Sequence, residues 1–103
     1  MPLDQARKKQ LRAIGHQLRP VVMIAERGAT EGVNLELERA LEDHELIKVK
    51  VAGLDRDVRN NTIAAICEKT GAELVQRIGN IALIYRAAAK PNPKLSNLLR
   101  PQG

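Results

Sequence analysis

Basic side chains near the N-terminus recur at helical spacing. They are Lys8, Arg12, His16 and Arg19, with Lys9 beside them. The four are separated by 4, 4 and 3 residues, and at about 100° per residue they share an arc of roughly 80°. No acid interrupts this arc, and basic groups on one helix face attract a polyanion. A solvated helix face is the simpler alternative, but the single sign of charge favours binding.

A second candidate anion site lies at residues 20–33. Pro20 cannot continue a helix, and an apolar run of strand length follows it. The run leads into a loop with Gly28 and Gly32, and Thr30 is a good N-cap for a helix after the loop. A glycine loop at a helix N-terminus points backbone N–H groups at one place, which suits phosphate. An ordinary strand-to-helix turn also needs glycine, so the loop alone is weak evidence.

Composition limits the possible classes of protein. The chain has 103 residues and a net charge of +5, which predicts one domain with its own core. A single cysteine, Cys67, excludes an internal disulfide framework and fits a reducing compartment. Neither a signal peptide nor a membrane-spanning run is apparent, so we expect a cytoplasmic monomer. With Tyr85 as its one aromatic residue, the chain cannot build an aromatic platform for stacking bases.

Hydrophobic periodicity predicts seven elements. They are helices at 4–18, 31–44 and 58–70, and strands at 21–25, 46–52, 73–78 and 81–86. The run at 21–25 has the continuous apolar character of a buried strand. The predicted fold is a single compact α/β domain, in the order α-β-α-β-α-β-β, with helices packed on a mixed four-stranded sheet. Strand order does not follow from the sequence.

The strand at 46–52 alternates with period two, so Lys48 and Lys50 should face away from the core. Asp55 or Asp57 should cap the third helix. Proline and lysine accumulate after residue 86, which predicts a domain at 1–86 and a flexible basic tail at 87–103.

Catalytic chemistry has little support. His16, His44 and Cys67 have no nucleophile or metal-ligand spacing around them, and no nucleotide-binding glycine motif is present. We therefore expect no enzymatic activity, no cofactor and no metal.

Four runs, in order across residues 5–86, resemble the CRM domain (chloroplast RNA splicing and ribosome maturation) in its bacterial, single-domain YhbY-like form. They are Lys9–Val22, Gly28–Val33, His44–Lys50 and Ile78–Arg86. The resemblance implies a fold similar to the C-terminal domain of translation initiation factor 3. It also implies binding to precursor RNA of the large ribosomal subunit (the pre-50S particle) and a role in ribosome assembly. The family's KH-like Gly-x-x-Gly loop falls on residues 25–28, with Ala25 at the first glycine position and Glu26 adding an anion.

Together these observations predict one RNA-binding surface. Its candidate residues are Lys8, Lys9, Arg12, His16, Arg19, Arg27, Gly28, Thr30, Lys48, Lys50 and Arg86. An alternative is an adaptor whose acidic second helix docks on a basic ribosomal protein, because residues 31–45 carry six acids and one arginine. Binding to duplex DNA is a weaker third possibility.

Overall fold

The computed structural model describes residues 3–25, 28, 30–53 and 55–99. It contains three helices and four strands in the predicted order. They are α1 (Gln5–Gly15), β1 (Pro20–Ile24), α2 (Glu31–His44), β2 (Leu46–Val51), α3 (Arg56–Thr70), β3 (Glu73–Ile78) and β4 (Ile81–Tyr85). The predicted fold class is confirmed.

Each helix begins at a capping side chain. Asp4 accepts a hydrogen bond from Arg7 N, Thr30 from Val33 N, and Asp55 from Val58 N. Each oxygen pairs one of the N–H groups that a helix start leaves without a partner. The predicted caps at Thr30 and Asp55 are therefore confirmed, and the second alternative for α3, Asp57, lies inside its first turn.

The first helix is shorter than predicted. Its last helical residue is Gly15, whereas the sequence predicted a helix through residue 18. After Gly15 the chain forms a turn with hydrogen bonds between residues three apart. Gln17 N donates to Ile14 O, and Leu18 N donates to Gly15 O. The residue before a proline is disfavoured in helical conformation, so Arg19 is not expected to continue the helix.

The strands form one mixed sheet in the order β1-β2-β4-β3. β1 and β2 are parallel, while β4 pairs antiparallel with both β2 and β3. Gly79, at φ +58°, supplies the left-handed residue that the β3–β4 hairpin needs. The last strand in the sequence thus lies inside the sheet, and β1 and β3 form its edges.

Helices cover the two faces of the sheet unequally. The larger apolar cluster lies beneath α2 and α3 and includes Leu37, Val49 and Ile63. A smaller cluster beneath α1 joins Leu11 to Leu46, Val75 and Leu83. At Gly15 a Cβ atom would come within 2.5 Å of Leu83 Cδ2, so the absence of a side chain lets α1 approach the sheet closely.

The prediction that β1 is a fully buried strand is wrong for one of its faces. Val22 and Ile24 are buried, but Met23, on the face that it shares with Lys50, is 60% exposed. Val21, at the irregularity in register between Pro20 and Val22, is 51% exposed. β1 is an edge strand. Because α1 makes its main sheet contacts with β2 and β3, no helix covers the other side of β1 among the described residues.

The segment after β4 is packed against the domain in its described part, residues 87–99, unlike the flexible tail that the sequence predicted. The buried carboxylate of Glu45 accepts hydrogen bonds from Ala88 N at 3.0 Å and from Ser96 Oγ at 2.8 Å. Asn97 Nδ2 donates to Leu46 O at 2.7 Å. These bonds pair buried polar groups with one another, which explains the packing; the domain boundary at residue 86 stays a prediction.

Candidate nucleic-acid interface

Lys48 and Lys50 lie on the face of the sheet that α1 partly covers. Leu46, in the same strand, packs with Leu11 of α1. Because side chains alternate along a strand, residues two and four positions after Leu46 point the same way. Both lysines are half-buried. As predicted, both lysines point away from the larger apolar cluster. They point to the side of the sheet that α1 partly covers.

The basic flank of α1, defined by Lys8, Arg12 and His16, reaches the uncovered part of this face at its C-terminal residue, His16. His16 keeps helical dihedral angles as the C-cap, so the predicted spacing persists through it. Its side chain lines a cleft of about 190 Å³ together with Lys48, Ile78 and Ile81. The structure thus brings the end of the basic flank next to the β2 lysines. Lys9 is exposed on the same helix.

Arg19 lies apart from this flank. The helix ends before it, so helical spacing no longer places it on the arc. It is exposed and lines a different cleft, of about 330 Å³, with Val21, His44 and Asn97 among its walls. Arg19 thus lines a different cleft from Lys48, although the next residue, Pro20, pairs with Lys48 in the sheet.

The glycine loop follows β1 and therefore lies at the edge of the sheet that β1 forms. Gly28 has φ +73°, a conformation that favours glycine. Its N–H donates to Ala25 O at 2.8 Å, and Thr30 N donates to Gly28 O at 3.0 Å. Both amides are therefore used within the loop, and an anion here would depend on the first turn of α2. Arg27 and Glu26 lie outside the described residues.

Ala25 carries no backbone strain. Among the described residues other than glycine, positive φ occurs at Glu45 alone, so alanine at the first glycine position of the loop costs nothing in this conformation. Ala25, Gly28 and Thr30 line a cavity of about 630 Å³ that also includes Met23. Since Met23 belongs to β1, the cavity joins the loop to the sheet face.

The sequence is similar to a known domain over most of its length. A family model described as the CRS1/YhbY (CRM) domain matches residues 3–86. The chain belongs to this family. The match confirms the resemblance seen in the sequence.

Relatives of this CRM domain cover nearly the whole chain. A Pseudomonas aeruginosa protein named as a probable RNA-binding protein is 53% identical over 103 residues, which is 100% of this chain and 99% of the relative. A Haemophilus influenzae protein named as an RNA-binding protein is 46% identical and covers 90% of this chain and 94% of its own. The fold is similar to the solution structure of a hypothetical Staphylococcus aureus protein described as a candidate RNA-binding protein, at 32% identity and a TM-score of 0.76. That match covers 86% of this chain and 93% of the other.

Arg86 of this CRM domain lies on the opposite side of the sheet from the β2 lysines. Its guanidinium bonds to Glu38 Oε2 at 2.7 Å and to Thr70 O at 3.0 Å, and it lies 3.7 Å from Glu42 Oε2. The side chain is 21% exposed. The structure therefore separates Arg86 from the other candidate residues and gives its charge internal partners.

The acids on which the adaptor hypothesis depends also have internal partners. Glu38 and Glu42 pair with Arg86, and Glu45 is 4% exposed and bonded to the C-terminal segment. Salt bridges and burial reduce the negative charge that α2 presents to a basic partner. No specific feature of the described residues favours docking through this helix.

Reactive groups in this CRM domain are few in the described part of the chain. No cluster of three His, Cys, Asp or Glu residues there could hold a metal ion. Burial raises the pKa of the half-buried Cys67 thiol, and the negative charge of Glu73 raises it further. A protonated thiol suits a packing side chain and not a nucleophile. None of the helices described here is long and apolar enough to cross a membrane.

Sequence reasoning missed the apolar part of this face. Met23 and Ile78 are 60% and 67% exposed, and Ile81 lies between their strands in the sheet. The continuous apolar run at 21–25 predicts a buried strand, because periodicity does not distinguish an edge strand from a central one. The alternation of β2 between apolar and lysine residues was the available signal, because it marked one sheet face as incompletely covered.

Proposed function

We propose that the protein binds RNA through the face that α1 partly covers. The observation that carries this proposal is the meeting of His16, the last residue of the basic α1 flank, with Lys48 at one cleft, with the Gly28 loop at the neighbouring edge. Basic side chains gathered on one face supply salt-dependent affinity for phosphates, and backbone contacts at a loop fix register. The names of the relatives, which describe RNA-binding proteins, support the same function.

The RNA that we propose is the precursor of the large ribosomal subunit RNA, and the role is assistance in ribosome assembly. Membership of the CRM family supports this part of the proposal. The interface that we propose consists of Lys8, Lys9, Arg12, His16, Arg27, Gly28, Thr30, Lys48 and Lys50. Arg19 and Arg86 are left out because Arg19 lines a different cleft and the guanidinium of Arg86 is bonded to Glu38 of α2.

Sedimentation of the native protein through ribosomal gradients, followed by crosslink mapping, tests the proposal. We expect the protein with particles that precede the mature large subunit, and crosslinks from ribosomal RNA to α1 and β2. Competition with duplex DNA of equal length should leave RNA binding largely intact. Crosslinks only to ribosomal proteins, through α2, would support the adaptor instead.

Arg86→Gln should lower stability without changing affinity for RNA. The substitution removes a charged hydrogen bond to Thr70 O and contacts with two partly exposed acids, so we expect a loss of about 1–2 kcal/mol in the free energy of unfolding. Denaturant unfolding and RNA titration measure the two effects. The control is Arg39→Gln. The Arg39 side chain is 87% exposed, and its Nε lies as far as 4.0 Å from Asp43 Oδ2, so this substitution should change neither stability nor affinity for RNA. A loss of RNA affinity in the Arg86 variant at unchanged stability would return Arg86 to the interface.

A further inference from the structure

A row of side chains crosses all four strands on the proposed RNA-binding face. Met23 of β1 pairs with Lys50 of β2, Lys50 with Ile81 of β4, and Ile81 with Ile78 of β3. Directly paired residues of neighbouring strands share a face. At about 4.8 Å between strands, the row is roughly 14 Å long. Three of its four members are apolar.

Helix α1 leaves this row open. Its closest approach to the sheet is at Gly15 over Leu83, and Leu83 pairs with Lys48 and Gln76 in the adjacent row. Beyond it, Met23 and Ile78 are 60% and 67% exposed. Isolated exposed apolar residues need no explanation, but an apolar strip bordered by polar groups is typical of a binding surface.

The charges around the strip are basic. Lys50 lies within it, while Lys48 and His16 line the adjoining cleft. Among the described strand residues, the one acid on this face is Glu73, which pairs with Tyr85 at the end away from the strip. Its carboxylate accepts a hydrogen bond from Leu3 N. A flat apolar strip beside basic groups complements a ligand with apolar faces and a row of negative charges.

An unpaired stretch of RNA has this chemistry. Its bases expose flat faces that a duplex hides, and its phosphates lie within reach of neighbouring cations. Single-strand binders commonly supply aromatic rings for such bases, and this chain has Tyr85 alone. Methionine and isoleucine offer an aliphatic surface in their place. The strip is also continuous with the loop, because Met23 lines the cavity that contains Gly28.

We propose that the strip of Met23, Lys50, Ile81 and Ile78 binds single-stranded RNA, with bases against the apolar side chains and the backbone along Lys48 and Lys50. This inference rests on the proposed RNA-binding function and specifies its ligand as unpaired RNA. The protein therefore binds single strands in preference to duplex.

The test compares wild-type protein with the double variant Met23→Thr, Ile78→Thr. Threonine has a β-branched side chain suited to strands and changes no charge. The probes are single-stranded oligoadenylate, the same oligonucleotide with abasic sites, and an RNA duplex of equal length. We expect the double variant to bind oligoadenylate about tenfold more weakly, with an unchanged dependence on salt. Wild type and variant should bind the abasic probe equally.

The matched control is Leu35→Gln on α2, because Leu35 is 66% exposed on the opposite side of the molecule. This variant should bind oligoadenylate with the same affinity as wild type. Thermal unfolding checks the fold, and Met23→Thr alone replaces the double variant if that one is unstable. Equal oligoadenylate affinity in wild type and variant, or equal binding of duplex and single strand by wild type, overturns the inference while leaving RNA binding in place. Loss of ribosomal co-sedimentation with unchanged RNA affinity assigns the strip to a protein partner. Failure of wild type to bind any RNA rejects the proposed function itself.

Discussion

The triple variant Arg12→Gln, Lys48→Gln, Lys50→Gln is expected to bind single-stranded ribosomal RNA about fifty-fold more weakly than wild type at about 0.15 M salt. The estimate assumes that each cation neutralises one phosphate. Each contact then contributes about 0.7 to the slope of log affinity against log salt, so the slope should fall by about two. Titrations across a salt series measure both quantities.

A matched triple variant separates the face from the total charge. Arg39, Arg56 and Lys69 are exposed on α2 and α3, and replacing them with glutamine removes the same three charges from the other side of the molecule. We expect only a small loss of affinity from this control. Equal losses in the two triple variants would show that net charge governs binding, and an unchanged salt slope in the first variant would exclude the proposed phosphate contacts.

Glu45→Ala is expected to produce the largest loss of stability, about 3 kcal/mol in the free energy of unfolding. The substitution removes the buried carboxylate that accepts hydrogen bonds from Ala88 N and Ser96 Oγ. Those donors would then lose their partner, and the segment at 88–98 should detach. Denaturant unfolding gives the energy, and faster hydrogen exchange at the Ala88 and Asn97 amides reports the detachment.

Glu45→Gly distinguishes the carboxylate from the backbone at the same position. Glu45 has φ +64°, a region that costs a residue with a side chain about 1–3 kcal/mol. Glycine also lacks the carboxylate, but it adopts a positive φ without this strain. The glycine variant should therefore be more stable than the alanine variant by about 1 kcal/mol. If the alanine variant were as stable as wild type, the carboxylate would have no part in holding the segment.

Local patterns were enough to predict the elements and their caps. The seven elements, the capping roles of Thr30 and Asp55 and the outward direction of the β2 lysines all depend on residues within a few positions of one another. Such features follow from spacing and dihedral preference alone.

Features that depend on distant residues could not be predicted in this way. The partners of Glu45 lie 43 and 51 residues later in the chain, and Arg86 finds Glu38 across 48 residues. Sequence patterns do not encode which distant groups meet, so they predicted neither these contacts of Arg86 nor the packing of residues 87–99 against the domain. Strand order was similarly open, and with it the exposure of Met23 on an edge strand.

The position of β4 has a consequence for synthesis of the protein on the ribosome. Of the four described strands, β4 is the last to leave the ribosome, yet it lies between β2 and β3 and supplies Ile81 and Leu83 to the face that α1 partly covers. A nascent chain that ends before residue 81 lacks β4, which connects β2 to β3 in the sheet. In such a chain α1 also has no Leu83 to pack on. Non-local pairing of this kind forms late. The proposed RNA-binding face is therefore assembled only when translation of the domain is nearly complete.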